Sequence, residues 1–149
     1  MITIGEAVTI NAPVGKIFDY LSIPNNFPGF WPSLVEITDV QSLPDGRCKA
    51  QYVYKMAGIQ FRGTTEYTKI VPNISLVIAT TGGINSILTW TFRSQPKRTR
   101  VGLTISYEIP IPVLGKLAEV AVKIMNEHEL TLILHNLKLL FLYSHLLDK

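Results

Sequence analysis

The sequence predicts an α+β fold in which a seven-stranded antiparallel sheet wraps around one long C-terminal helix, with two short helices after the first strand. Three observations support this prediction. Apolar and polar residues alternate with a period of two through most of residues 2–107. The connections between the later segments are short and rich in turn residues, which makes neighbouring strands antiparallel. After residue 113 the pattern becomes helical, and Gly115 alone interrupts it.

The first quarter of the chain predicts two strands with two short helical segments between them. Ile2–Ile10 alternates as a strand does. Asn11 is a candidate cap for a helix over Pro13–Leu21. The next segment contains three prolines, so it has room for one short turn after Pro24. A second strand is predicted near Leu34–Val40.

Five further strands and the long helix complete the predicted order. The strands are Arg47–Met56, Gln60–Val71, Ile74–Thr80, Asn85–Arg93 and Arg100–Tyr107. The turns between them fall at Ala57-Gly58, Pro72-Asn73, Gly82-Gly83 and Gln95-Pro96. The helix runs from Leu114 to about Leu146. An antiparallel sheet must bury one face, and this helix is the one predicted element large enough to cover it.

The composition indicates a single domain over residues 1–149, with more apolar surface than a solid core needs. Apolar residues make up 47% of the chain and charged residues only 17%. This excess favours a cavity or an oligomer interface, such as that of a homodimer. Polar residues interrupt the apolar stretch Leu130–Leu147, so we expect no stable membrane insertion. The single cysteine, Cys48, and the absence of secretory features at the N-terminus favour a cytoplasmic protein.

The positive net charge of +3 does not by itself indicate a nucleic-acid partner. Its densest cluster, formed by Lys97, Arg98 and Arg100, lies in a predicted hairpin turn and is expected to be solvated. No basic-aromatic nucleic-acid motif accompanies it. The two candidate ligands His128 and His135 are too far apart to share a metal ion, so we expect neither a metal nor a cofactor.

The predicted inner face of the sheet lacks charged side chains, apart from Glu6 and Lys69 at its margins, but carries several hydroxyl groups. Apolar walls with a few polar groups are typical of a small-molecule site. The sequence therefore predicts a cavity for a small, neutral, hydrophobic ligand. Its candidate ligand-binding residues on the strands are Tyr52, Tyr54, Met56, Phe61, Thr65, Tyr67, Ile78, Ser86, Leu88, Trp90, Leu103, Ile105 and Tyr107. Those on the helix are Ala121, Met125 and His128.

The helix carries two apolar faces, and periodicity leaves open which one points inward. A broad face includes Leu114, Leu117, Ala118, Ala121, Val122, Ile124, Met125, Leu132, Leu139 and Leu140, with His128, Glu129, His135 and Asn136 among them. A second stripe consists of Leu130, Leu134, Leu137 and Phe141. If the broad face points inward, His128 or Glu129 is a candidate general acid or base. If the stripe points inward, both histidines are solvated. Phe27, Phe30 and Trp31 form a candidate lid.

Several segments resemble the START-like, or SRPBCC, superfamily with its helix-grip (Bet v 1/START-like) fold, in particular the polyketide cyclase/dehydratase and lipid-transport type. They are residues 10–21, 24–32, 56–58, 63–68, 89–92, 99–101 and 136–138. The resemblance implies a cavity between sheet and helix that takes hydrophobic ligands such as lipids, quinones or polyketide-like molecules. It leaves a carrier and a cyclase or dehydratase as alternatives. The second apolar stripe of the helix adds a third, an assembly or membrane-associated adaptor that uses Leu130, Leu134, Leu137 and Phe141 as its contact surface.

Overall fold

The computed structural model describes residues 1–109 and 115–147, and it confirms the predicted α+β fold. The strands are β1 (Ile2–Ile10), β2 (Leu34–Ser42), β3 (Cys48–Met56), β4 (Ile59–Val71), β5 (Ser75–Thr81), β6 (Ser86–Gln95) and β7 (Arg98–Tyr107). The helices are α1 (Val14–Leu21) and α2 (Lys116–Leu147), with short 3₁₀ helices at Pro24–Gly29 and Pro44–Gly46. The predicted start of the long helix at Leu114 lies outside the described residues.

All seven strands form one antiparallel sheet in the order β1-β7-β6-β5-β4-β3-β2. The last strand, β7, pairs with the first, β1, while β6 to β2 follow one another on the other side of β7. This register places Tyr52 opposite Gly63 and Tyr67 opposite Ile78. Alternate residues of the strands therefore point to one continuous inner face.

The hairpin turns adopt the left-handed backbone conformations that their positions require. Ala57 and Gly58 both have positive φ, at 51° and 78°, as a two-residue hairpin turn of type I′ requires. Asn73, between β4 and β5, has φ of 62°. Lys97 has φ of 60° at the tip of the β6–β7 hairpin, whereas Arg98 and Arg100 lie at the start of β7, and all three side chains are exposed.

A β-bulge keeps the inner face free of charge at the far end of β4. Tyr67 pairs with Ile78, whereas Lys69 pairs with Val77, so β4 carries one extra residue there. The bulge turns Lys69 outward, where it is exposed, and turns Ile70 towards the core. Strict alternation leaves Lys69 as a possible charge on the inner face, and the bulge removes it.

The Leu130 stripe of α2, rather than the broad face, packs against the sheet. Leu130, Leu134 and Leu137 are at most 2% exposed, and Ile133 is buried beside them. The predicted broad face is mostly solvent-exposed, including Leu117, Ile124, Met125, Leu132 and Leu139. The stripe joins the same apolar cluster as the sheet, which sets the rotation of α2. The alternative of the Leu130 stripe as an external contact surface is therefore wrong.

The start of α1 also differs from the prediction. The helix begins at Val14 directly after Pro13, whose side chain cannot cap it, and no side-chain cap bond is made. Asn11 therefore does not cap the helix. Pro13 fixes an extended backbone just before the first turn, which suits proline because it has no N–H to satisfy.

Two leucines of α2 test its rotation against the sheet. Replacing fully buried Leu137 by alanine is expected to lower the free energy of unfolding by about 2–5 kcal/mol, because it leaves a cavity in the core. Leu139→Ala, two residues away on the exposed face, is expected to change it by less than about 0.5 kcal/mol. Chemical denaturation monitored by circular dichroism gives both values. Equal losses in the two variants, or a larger loss at Leu139, would contradict this rotation.

Candidate functional site

An apolar cavity lies between the inner face of the sheet and α2. The empty space is about 840 Å³ including the part that opens to solvent, and the centre of a water molecule can move through about 100 Å³ of it. Its lining residues are Ile4, Pro24, Phe27, Trp31, Leu34, Ile37, Tyr52, Tyr54, Met56, Thr65, Tyr67, Ile78, Thr80, Ile84, Ser86, Leu88, Ile105, Tyr107, Asn126, Glu129 and Ile133. Such a concave, mainly apolar space with few polar groups suits a small molecule.

Several wall hydroxyls already bind the backbone, so they contribute little polarity to the cavity. The Tyr52 hydroxyl donates to the Ile84 carbonyl at 3.1 Å and accepts the Ile84 N–H at 2.8 Å. The Tyr67 hydroxyl donates to the Leu21 carbonyl at 2.8 Å. Thr80 donates to the same Ile84 carbonyl at 2.7 Å and also bonds Ser86. These groups hold the wall together.

Gly63 allows the Tyr52 hydroxyl to reach the segment before β6. A Cβ at Gly63 would lie 2.7 Å from the Tyr52 hydroxyl oxygen and 2.2 Å from the Thr81 carbonyl oxygen. Both distances are far below van der Waals contact, so only glycine fits here without a shift of the backbone. The tight approach of β4 to the β5–β6 connection thus depends on this residue.

Among the described residues that line the cavity, Glu129 of α2 is the only charged one. Its carboxylate accepts the Ser33 N–H at 3.1 Å through Oε1 and the Ser33 hydroxyl at 2.6 Å through Oε2. Its Oε1 also lies 3.5 Å from the Tyr54 hydroxyl oxygen. The Trp31 indole N–H donates to that same Tyr54 oxygen at 3.1 Å. We call these four residues, Trp31, Ser33, Tyr54 and Glu129, the Glu129 cluster.

The Tyr54 hydroxyl stays protonated in this environment. Burial raises the pKa of Tyr54 well above its ordinary value, and the nearby negative charge of Glu129 raises it further. The hydrogen bond from the Trp31 indole N–H acts on this pKa in the opposite direction but is weaker. Tyr54 is therefore a hydrogen-bond donor at neutral pH, and Glu129 supplies an acceptor beside it.

A second, uncharged polar pair lies on the helix side of the cavity. The Asn126 amide donates to the Tyr107 hydroxyl oxygen at 2.7 Å. Burial raises the pKa of Tyr107, so this hydroxyl also remains protonated at neutral pH. The pair links α2 to β7, and it adds no charge to the wall.

Most of the sequence-predicted strand residues do lie in the cavity wall. They are Tyr52, Tyr54, Met56, Thr65, Tyr67, Ile78, Ser86, Leu88, Ile105 and Tyr107. Trp90 and Leu103 point to the same face but are fully buried in the core outside the cavity wall. Phe61 packs half-buried against the core and does not line the cavity. Alternation identifies the face of a strand, but not which part of that face is covered by other side chains.

Of the helix residues that the sequence suggested for the cavity, Glu129 lines it, whereas the others point away from it. Ala121, Met125 and His128 do not line the cavity, and the expectation that they do is corrected by the rotation of α2. Met125 and His128 are exposed, as is His135. Of the two candidate acid–base residues, Glu129 reaches the cavity and His128 does not.

The predicted lid residues divide into two groups. Phe27 and Trp31 line the cavity, with their rings stacked at a centroid distance of 6.4 Å. Phe30, which is 1% exposed, does not line the cavity and packs edge-on against Trp90. Within the described part of the chain, the buried Trp90 indole nitrogen has no hydrogen-bond partner. These contacts make the aromatic segment an integral part of the core as well as of the cavity wall.

Sequence reasoning missed eight of the described residues that line the cavity. They are Ile4, Pro24, Leu34, Ile37, Thr80, Ile84, Asn126 and Ile133. Ile4 and Thr80 share the inward alternation of their strands, so the pattern could have identified them. Ile84 lies in a turn and Asn126 on a face of ambiguous direction, and nothing in the sequence marks either one.

The described residues do not favour nucleophilic catalysis by Cys48 or a metal-binding site. Burial raises the pKa of the Cys48 thiol, which disfavours the nucleophilic thiolate. Within residues 1–109 and 115–147, no group of three or more His, Cys, Asp or Glu side chains is arranged to hold a metal ion. Over the same residues, no helix has both the length and the apolarity needed to cross a membrane.

Comparisons with known proteins agree with this architecture. Residues 1–141 match the family described as "Polyketide cyclase / dehydrase and lipid transport". No curated protein sequence matches the chain significantly. Among solved structures, it is similar to TTHA0849 from Thermus thermophilus, with a TM-score of 0.83 and 20% identity over 96% of this chain and 99% of that one.

Two further structural relatives share the fold at lower identity. A START superfamily protein from Mycobacterium smegmatis has a TM-score of 0.73 and 15% identity over 93% of this chain and 98% of that one. The ZhuI aromatase/cyclase from Streptomyces sp. R1128 has a TM-score of 0.72 and 13% identity over 91% of this chain and 90% of that one. At these identities the likeness establishes the fold alone.

Substitution of Tyr52 tests whether its hydroxyl stabilises the fold or binds the ligand. Tyr52→Phe is expected to lower the free energy of unfolding by about 1–3 kcal/mol, because it leaves the buried Ile84 N–H without a partner and removes one of the two donors to the Ile84 carbonyl. The affinity of the folded protein for a neutral hydrophobic dye is expected to stay unchanged. Denaturation curves and dye titrations measure the two quantities. A loss of affinity without a loss of stability would show that the hydroxyl serves the ligand instead.

Proposed function

The chain belongs to the polyketide cyclase/dehydrase and lipid transport family, and on that premise we propose that it binds and carries a small, neutral, hydrophobic molecule between the sheet and α2. The observation that carries this proposal is the cavity itself. Its wall is apolar over most of its area, and its hydroxyls at Tyr52, Tyr67 and Thr80 are already bonded to the backbone.

Apolar burial supplies the affinity in this proposal. Each Å² of apolar ligand surface removed from water contributes about 25 cal/mol, so a ligand that fills the cavity gains most of its binding free energy without specific polar contacts. A strongly charged ligand would leave its own charge unpaired against this wall, which is costly. The composition of the wall therefore favours a lipid, quinone or polyketide-like molecule.

A cyclase or dehydrase-type enzyme is the second candidate, and the Glu129 cluster is the observation that favours it. A carboxylate acceptor and a protonated phenol lie 3.5 Å apart at the cavity wall, which is the kind of pair that moves protons in acid–base chemistry. In such an enzyme Glu129 would act as the base and Tyr54 as the acid, and the apolar wall would hold the folded chain of the substrate.

The carrier is the better supported of the two. Both oxygens of Glu129 already accept hydrogen bonds from Ser33, so part of their acceptor capacity serves the fold. His128, the other candidate for acid–base catalysis, is exposed and does not line the cavity. The cavity is thus equipped to hold a molecule, with a few polar groups to orient it.

A cavity-filling variant tests whether the ligand enters this space. Ile105→Trp on β7 puts a large ring into the cavity, whereas Ile87→Trp on the neighbouring strand β6 adds the same ring to the exposed outer face. The first is expected to weaken binding of the neutral dye N-phenylnaphthylamine by about tenfold or more, since it removes the space for it; the second is expected to leave binding unchanged. Fluorescence titration measures both affinities.

Two outcomes of that titration would contradict the proposal. One is that the native protein takes up no dye. The other is that both tryptophan variants bind it as well as the native protein does, which would place the dye elsewhere. Circular dichroism spectra of the two variants, recorded beforehand, verify that each is folded.

A further inference from the structure

We propose that the Glu129 cluster selects a hydrophobic ligand that ends in a hydroxyl group, an alcohol or a phenol, and rejects the corresponding carboxylate. This inference rests on the proposed function, because it concerns the polar end of the same cavity. It follows from three features: the unused proton of Tyr54, the fixed position of Glu129, and the distance between the two groups.

The Tyr54 hydroxyl has a proton without a good acceptor. Its oxygen accepts the Trp31 N–H at 3.1 Å, so this bond uses a lone pair and leaves the phenolic proton free to be donated. The acceptor within reach is Glu129 Oε1, at 3.5 Å. Hydroxyl–oxygen bonds are normally about 2.7–2.8 Å long, so this bond is weak, and a better acceptor can replace it.

Ser33 holds the Glu129 carboxylate in place. The Ser33 N–H binds one carboxylate oxygen and the Ser33 hydroxyl binds the other, so the group cannot rotate away from the cavity. An ionised carboxylate offers about four acceptor positions, and Ser33 occupies two of them. At least one acceptor position next to Tyr54 therefore remains for a ligand.

A donor beside an acceptor is complementary to a hydroxyl group. A ligand hydroxyl can accept the proton of Tyr54 and donate its own proton to Glu129, which satisfies all three groups. An ether or ketone can accept from Tyr54 but has no proton for Glu129. A carboxylate also has no proton to donate, and it brings a second negative charge next to Glu129, which repels it.

The link between Glu129 and Ser33 also joins α2 to the segment before β2, so a purely structural role must be distinguished from selection. A structural role predicts that changes at Glu129 alter stability but not the ranking of ligands. Selection predicts that the ranking itself changes. Competition among ligands of one chain length, differing only at the polar end, separates the two roles.

The test is displacement of N-phenylnaphthylamine by dodecanol, dodecyl methyl ether and dodecanoate at neutral pH. In the native protein, dodecanol is expected to displace the dye at about tenfold lower concentration than the ether or the acid, the difference expected for a hydrogen bond to a charged group. Glu129→Gln is expected to reduce the rejection of dodecanoate. Tyr54→Phe is expected to weaken displacement by the alcohol and by the ether to a similar extent, because both accept the Tyr54 proton, while the alcohol stays preferred and the acid stays rejected.

Glu127→Gln is the matched control, because it removes the same charge from an exposed position two residues away on the same helix. It is expected to keep the native ranking. Equal displacement by the three ligands in the native protein, or a Glu129→Gln variant that still rejects the acid, would overturn the inference while dye binding upholds the cavity. The order in which the three ligands displace the dye from the native protein tests the selection of a hydroxyl group, even where a variant fails to fold. Failure of the native protein to bind the dye would refute the proposed function itself.

Discussion

The rotation of α2 about its own axis is the constraint on which the site depends. Leu130, Ile133, Leu134 and Leu137 pack against the sheet, and this contact sets the direction of every other side chain on the helix. With the stripe inward, Glu129 reaches the cavity wall, whereas His128 points to solvent. A rotation of the helix by half a turn would turn Glu129 away from the wall and would give the cavity a different chemistry.

The cavity wall contains many hydroxyl groups but presents a mainly apolar surface. Tyrosine, threonine and serine hydroxyls are numerous along its wall, yet several of them satisfy backbone groups of neighbouring segments. Gly63 makes one of these bonds possible by giving the Tyr52 hydroxyl access to Ile84. What remains for a ligand is an apolar space with a polar end at the Glu129 cluster, where donor and acceptor are fixed by Trp31 and Ser33.

The strands could be predicted well from the sequence because a period of two assigns each residue to one face. Tyr52, Ile78 and Ile105 belong to the wall on that basis, and they lie there. The bulge at Lys69 escapes prediction because an extra residue in one strand is visible only in its pairing with the next. Trp90 shows a further limit, since a residue on the correct face can be covered by its neighbours.

The helix could be located in the sequence but not oriented. It is apolar on two sides, so its pattern fits either rotation, and the choice depends on contacts with the sheet that periodicity does not contain. The Glu129 cluster is hidden for a similar reason. Its members come from separate segments up to 98 residues apart, Trp31 to Glu129, and each is an ordinary residue in its own segment.

The central claim is that this cavity holds a small hydrophobic molecule, and the most direct measurement is the identification of what the protein carries. The protein is purified without denaturation, then unfolded in organic solvent, and the extract is analysed by mass spectrometry against a blank. A neutral lipid, quinone or polyketide-like compound is expected in stoichiometric amount. An extract without such a compound, from a protein that also takes up no hydrophobic dye, would contradict this claim.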